Sequence, residues 1–416
     1  MATVDPKSKV HHEPGSPIWW VGYLCLWTSV LVLLAWDTRS KLLEYDLKSM
    51  ISYLYDAIPK PSMQATSIYI LYLFYLAIMG AILPGFKQQG AVLQDGSSLT
   101  YKCNGLLLHL TTSLGFLWLA TNTYIDPLYI ADHYGELFAS VSLFSLCLSL
   151  YLAIVGRWKQ KRNWFTQRPF LIDFIAGAEL NPHLLGLDIK FFAYRPAMTG
   201  WQLVNLSFLV KQYYYYDGAI SARMAMYQIL TALYILDYFY QERKMVFTWD
   251  IIAEHFGLML VWGDLAFITF GFSVQNFFLW KNFEPFSRDA MIFNAVVALV
   301  GYTLFRGANS QKHHFKTNPN DRIWGKPPRL IGNKLLVSGF WGWARKINYC
   351  GDLIIALSFS LSCGSSSAWA YFYFLYLLLL LVHREMRDDE KCSEKYQALW
   401  QEYCREVPYR IVPLIY

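Results

Sequence analysis

The chain has 416 residues, of which 55% are hydrophobic, 18% aromatic and only 16% charged, with a formal net charge of +6. Soluble globular domains carry about 25% charged residues, so this chain is short of water-facing chemistry, though long enough for about two or three ordinary cores. That balance excludes disorder, collagen and a disulfide-rich secreted scaffold, and it predicts an all-α, multi-pass integral membrane protein.

Met1–Pro17 is a short polar tail with Pro6, Pro14 and Pro17, and it lacks the charged-apolar-small order of a cleaved signal peptide. The first apolar span is therefore expected to stay. About ten apolar stretches follow, near 18–36, 66–84, 104–122, 137–156, 199–211, 224–240, 255–273, 290–305, 353–363 and 368–382. The fifth and ninth are short and the seventh contains Asp264, so these three are expected to be tilted, broken or re-entrant. With ten spans, 28 of the 36 Lys and Arg fall on the face that carries the N-terminus and 8 on the other. By the positive-inside tendency both termini are then cytoplasmic, and the basic segments 306–352 and 383–416 share that face. The tail 1–17, the helices within 18–240 and the region 241–416 form the three divisions of the chain.

Several chemistries are absent from the sequence. The seven cysteines (Cys25, Cys103, Cys147, Cys350, Cys363, Cys392, Cys404) are odd in number and contain no C-x-x-C, which offers neither a disulfide framework nor a zinc site. No G-x-G-x-x-G, Walker A or H-E-x-x-H motif occurs, and the nine histidines form no di-iron clusters. No metal is expected. The basic excess comes without a nucleic-acid motif, so it is read as topology and no nucleic-acid partner is expected.

What remains is an anion site beside aromatic rings. Lys312 and Lys316 are i, i+4 and would share one helix face, while Arg384 and Arg387 precede Asp388, with Cys392 and Tyr396 following at helical spacing. Paired cations suit the phosphates of a nucleotide, and Trp341 or Tyr349 is placed to stack on a flat ring. Two acids lie in apolar surroundings, Asp237 and Asp264, and intramembrane carboxylates are functional candidates by default. Asp237, followed by Tyr238, Glu242, Asp250 and Glu254, is the stronger of the two.

The residues then become recognisable. Asp173-Phe-Ile-Ala-Gly177-Ala-Glu-Leu-Asn181-Pro182-His183 leads to Asp188-Ile-Lys190 and Tyr194-Arg195-Pro196, then to Asn205-Leu206, Lys211-Gln212, Trp249-Asp250-Ile251 and Trp262-Gly263-Asp264. Arg306-Gly-Ala-Asn309-Ser-Gln311-Lys312 precedes Leu335-Leu336-Val-Ser338-Gly339-Phe-Trp341-Gly342 and Ala344-Arg345-Lys-Ile-Asn348-Tyr349-Cys-Gly351-Asp352. His383-Arg384-Glu-Met-Arg387-Asp388, Lys395-Tyr396 and Val407-Pro408-Tyr409-Arg410-Ile-Val-Pro413 complete the series. From about residue 100 onward the chain resembles the membrane sterol reductases, which include the sterol C14-, C7- and C24(28)-reductases and the sterol-reductase domain of the lamin B receptor.

That resemblance implies a ten-helix enzyme that takes hydride from NADPH and reduces an alkene of a sterol entering from the bilayer, among membrane lipids. It would lie in the endoplasmic reticulum in a eukaryote or the inner membrane in a bacterium, with 241–416 as the NADPH and sterol region. Carried over residue by residue, the cofactor contacts fall on Lys312, Lys316, Leu336, Trp341, Asn348, Tyr349, Arg384, Asp388, Cys392, Tyr396 and Tyr403. The motifs look most like the C14-reductase branch, with Δ7 or Δ24 alkenes as alternatives. A membrane methyltransferase using S-adenosylmethionine, or a non-enzymatic scaffold, is more remote.

Three positions depart from the family pattern: Phe267-Ile-Thr269-Phe270-Gly271-Phe272 for Trp-x-Pro-Phe-Thr-Tyr, Ala253 for a His, and Gln397 for the Gly after Lys-Tyr. Hydride does not attack an unactivated alkene, so an acid must protonate it first. Tyr238 and Asp237 are the expected donors. Asp388, close to the phosphate-binding cations, is expected to orient, and Asp264 and Glu254 rank behind.

Overall fold

The structure is a computed structural model that describes residues 59–93, 96–161, 168–365 and 367–416. The polar tail and the expected span at 18–36 lie outside the described residues. Each of the other nine expected spans overlaps a helix: α1 (Met63–Ile82), α2 (Gly105–Thr121), α3 (Tyr134–Lys159), α4 (Ile189–Tyr215), α5 (Ala222–Tyr240), α6 (Leu258–Leu279), α7 (Arg288–Thr317), α8 (Ile347–Ser362) and α9 (Phe372–Tyr396). A short α10 (Ala398–Glu406) follows. Among the described residues α1, α3, α6 and α7 are long and apolar enough to cross a membrane, and α2 and α8 are shorter apolar helices.

Local chemistry sets several helix starts. Side-chain oxygens of Ser62, Asp188, Ser221 and Ser287 each accept from the backbone N–H three residues on, at 3.1, 2.9, 3.1 and 3.2 Å. These are N-caps, which satisfy donors that a helix leaves orphaned. The outer faces carry bare hydrocarbon: Phe293 on α7 is 62% exposed and Leu299 65%, as a surface solvated by lipid would be. One continuous apolar core runs through the bundle from Ala65 on α1 to Ile411 near the C-terminus.

Some expectations change at the edges. The short fifth stretch belongs to the 27-residue α4, which runs through Pro196; neighbouring helices re-satisfy groups that an intramembrane proline frees. The segments 306–352 and 383–416 do not begin as loops. α7 continues to Thr317 and α9 to Tyr396, because Lys, Arg and Glu are good helix formers once a helix leaves the hydrocarbon. The seventh stretch is continuous but changes pitch, with a π-helical segment at Gly263–Gly271.

α7 and α8 run antiparallel: Asn294 donates to the Ser362 hydroxyl at 3.0 Å at one end and Asn348 to the Asn309 carbonyl oxygen at 3.3 Å at the other. Their backbones nearly touch, since a Cβ added at Gly351 would lie 2.3 Å from the Phe305 nitrogen. That approach needs glycine and is a common way to pack helices in lipid. It places the C-terminal turns of α7, with Lys312 and Lys316, over the segment that enters α8.

Candidate active site

Most of the first signature motif builds the scaffold. Asp173, fully buried, pairs with the equally buried Arg157 at 2.6 Å and with the partly exposed Arg168 at 3.4 Å. Gly177 has φ +98°, and a Cβ at Gly257 would fall 2.1 Å from its nitrogen, so the two loops meet backbone to backbone. Asn205 accepts from Asn276 at 2.7 Å and donates to Thr231 at 3.1 Å, which ties α4, α5 and α6 together. Arg195 and Glu242 form a buried pair at 3.2 Å, and the same carboxylate accepts from the Gly105 N–H at 2.7 Å, capping α2. Burial pushes the Glu242 carboxyl up, against the lowering effects of Arg195 and that N–H.

These locks hold in place the polar site carried by α5, α6, α7, α9 and the segment that enters α8. At its outer end the Lys312 ammonium lies 4.0 Å over the Trp341 ring, and the Trp341 indole donates to the Ala308 carbonyl at 2.9 Å. Lys316, one turn on and exposed, adds its charge to that of Lys346 around Lys312. Lys346 pairs with Asp388 at 2.7 Å. Burial pulls the Lys346 ammonium down, but the Asp388 carboxylate and the Tyr349 hydroxyl outweigh it, and the net shift is upward. Arg384 pairs with Asp250 at 3.6 Å, and Arg387 with Glu254 at 3.3 Å.

The expected cofactor residues thus fall into two adjoining groups. Lys312, Lys316, Trp341, Asn348, Tyr349, Arg384 and Asp388 fall on the end of α7, the segment entering α8, the start of α8 and the polar half of α9, with Leu336 buried in the main core. Tyr396 and Tyr403 belong to a separate apolar cluster with Trp400, whose ring lies 5.0 Å from that of Tyr403. Cys392 packs in that cluster and also lies within electrostatic reach of Lys346, Asp388 and Lys312. Lys346 and the Asp250–Arg384 contact were not singled out from the sequence. Lys346 stands two residues before Asn348, and only the folded loop turns it onto Asp388.

At the inner end the two expected acids part company. Asp237 faces α7, where it pairs with Arg306 and accepts from the Tyr302 hydroxyl at 3.0 Å. Adjacent helical residues point about 100° apart, so Tyr238 faces inward, its ring 6.5 Å from that of Tyr194. The buried Tyr238 hydroxyl and Asp264 Oδ2 have no hydrogen-bond partner among the described residues, and Asp264 lies within electrostatic reach of both tyrosines. Asn348 Oδ1 and His383 Nε2 are likewise unpartnered. Lys190 does not neutralise Asp264 by contact, because its ammonium donates to the carbonyls of Asp250, Ile251 and Glu254 at 2.7, 2.9 and 2.9 Å.

A three-carbonyl clamp on Lys190 therefore fixes the Trp249–Glu254 segment against α4. The departing sequence 267–272 forms an aromatic wall against α9: the Phe267 and Tyr376 rings are 4.4 Å apart, as are those of Phe272 and Tyr373. The site thus has cations and a flat ring at one end, and an unpartnered hydroxyl, an unpartnered carboxyl and aromatic rings at the other. Among the described residues no group of three or more metal-ligating side chains occurs.

A mostly helical chain with bare apolar outer faces and four helices long and apolar enough to cross a membrane among the described residues defines a membrane protein. Residues 25–416 match the Ergosterol biosynthesis ERG4/ERG24 family, and the chain belongs to that family. It is 48% identical to a Delta(14)-sterol reductase of Arabidopsis thaliana over 363 residues, 86% of this chain and 97% of the relative. It is 38% identical to a Delta(14)-sterol reductase of Methylotuvimicrobium alcaliphilum over 361 residues (86% and 84%). With a 7-dehydrocholesterol reductase of Xenopus laevis the identity is 34% over 407 residues (89% and 84%).

Proposed function

We propose that the protein is a multi-pass membrane enzyme that reduces the C14=C15 double bond of a sterol, using NADPH and with Tyr238 as the proton donor. The observation that carries the reading is the buried, unpartnered Tyr238 hydroxyl at the inner end of a polar site whose outer end gathers Lys312, Lys346 and Arg384. The two named Delta(14)-sterol reductases among its relatives favour the C14 bond. Both termini are cytoplasmic in this reading, and the sterol enters from the bilayer.

The site fits a nicotinamide dinucleotide phosphate. Lys312, Lys316 and Arg384 would hold its phosphates, Trp341 or Tyr349 would take a ring, and Asn348 Oδ1 is a buried acceptor with no partner among the described residues. When bound, NADPH supplies a hydride to an electron-poor carbon. A charge-assisted contact to its extra phosphate is worth about 1.5–3 kcal/mol, which favours NADPH over NADH about ten- to hundredfold.

The protein's own residues supply the rest. A phenol keeps its proton at neutral pH, its ordinary value being about 10, and Tyr238 delivers that proton to one alkene carbon in a pocket closed to water. The Asp237 carboxylate already pairs with Arg306 and accepts from Tyr302, so it positions α5 rather than donating. Asp388, bound to Lys346, orients the cation cluster. The aromatic wall of Phe267, Phe272, Tyr373 and Tyr376 keeps the carbocation from water.

The test incubates purified protein with NADPH and sterols unsaturated at C14, C7 or C24, followed by mass spectrometry. Reduction of the Δ14 sterol is expected. Turnover of only the Δ7 or Δ24 sterol would refute the assignment. Tyr238→Phe should lower kcat about 10²- to 10⁴-fold, whereas Asp237→Asn, if it folds, should retain much of it. The reverse ranking would make Asp237 the donor.

A further inference from the structure

Tyr238 donates one proton per turnover and must regain it inside a bundle that excludes water. Asp264 is the only charged residue between Leu258 and Leu279. It is 5% exposed, and its Oδ2 has no partner among the described residues. No hydrogen bond or ion pair offsets its burial, so packing does not explain a carboxyl at this position. It occupies the second residue of the π-helical segment Gly263–Gly271, a geometry that recurs at functional sites. Beside it Gly263 faces open space, since an added Cβ would meet nothing within 4 Å.

Asp264 and Asp250 both lie within electrostatic reach of the Tyr238 and Tyr194 hydroxyls. Asp250 is held by Arg384 at 3.6 Å, and a carboxylate beside a guanidinium gives up its proton readily. Of the two, Asp264 is the carboxyl with no partner among the described residues.

Resting on the reading of Tyr238 as donor, we propose that Asp264 is the proton reservoir that recharges Tyr238 after each turnover. In the reduction the Tyr238 O–H bond breaks and a C–H bond forms at one alkene carbon, leaving a phenolate and a carbocation. Hydride from the reduced nicotinamide cofactor closes the cation, and the cofactor is oxidised. The phenolate takes the proton of the Asp264 carboxyl, and the resulting carboxylate regains one from solvent. The sum consumes one alkene, one reduced cofactor and one solvent proton.

The test uses full-length protein in lipid nanodiscs, loaded with NADPH and mixed rapidly with the Δ14 sterol. Asp264→Asn should reduce one sterol per protein at close to the wild-type rate and then slow at least about tenfold, whereas Tyr238→Phe should lose the first turnover as well. Asp264→Glu, which keeps a proton-holding carboxyl, should recover most of the steady-state rate. Independently of activity, infrared difference spectra of the resting wild type in H2O and D2O should show a buried protonated carboxyl that is missing in Asp264→Asn. Full steady-state turnover by Asp264→Asn, loss of its first turnover with folding intact, equal loss in Asp264→Glu, or no such carboxyl band would each overturn the relay. A wild type that reduces none of the sterols sinks the functional reading instead, and the relay with it.

Discussion

Glu254 shows how one side chain can tie the Trp249–Glu254 segment to α9. Burial alone would push its carboxyl up, but bonds from the Trp249 indole at 2.8 Å and from Arg387 at 3.3 Å, with Lys391 nearby, outweigh it and hold it below the ordinary value. A carboxyl lowered on folding adds stability that is fully present above its unfolded pKa of about 4.3 and is lost as pH falls through the lower folded value. The wild type should therefore melt roughly 2 °C above Glu254→Gln at pH 7, a gap that closes as the pH drops below about 4. A gap independent of pH would show that the clamp works through packing. Arg384 is the matching test at the cofactor end: Arg384→Ala should raise the KM for NADPH about ten- to hundredfold with a smaller change in kcat, and an unchanged KM would remove it from the site.

Among the elements, the junction of α9 and α10 carries a legible conflict. Gln397 sits where the family places glycine, and its backbone has φ +49° and ψ −117°, a region that side chains rarely adopt. Such strain costs about 1–3 kcal/mol, so Gln397→Gly should raise the thermal midpoint while leaving the sterol product unchanged; a lowered midpoint would mean that the side chain is needed there. The Gly177–Gly257 contact is the opposite case, since no side chain fits between those backbones. Gly177 entered the sequence reading only as part of the signature that carries the family resemblance, which does not say whether it touches a ligand or another loop. The contact partner is 80 residues away in sequence and becomes visible only once folded.

For the molecule as a whole, a ten-span reading puts 28 basic residues on one face and 8 on the other, and the positive-inside tendency then predicts that both termini are cytoplasmic. Single cysteines at the exposed positions His183 and Asn320 should both react with a membrane-impermeant thiol reagent from the cytoplasmic side, and a cysteine at Asp217 from the other. Labelling of His183→Cys and Asn320→Cys from opposite sides would refute the even count of spans.

Hydropathy along the chain determined where the helices lie, because lipid demands about 20 apolar residues with every backbone group bonded internally. Helical spacing likewise put Lys312 and Lys316 on one face, but that the Lys312 ammonium lies over the Trp341 ring was decided by the fold. Tertiary structure alone decided the partners. It gave Asp237 to Arg306 and turned Tyr238 inward, left Asp264 without a bond, and spent Lys190 on backbone carbonyls. The reason is geometric: a sequence states which groups a helix presents, but whether a buried carboxyl meets a cation or an unfilled gap depends on which other helix packs against it.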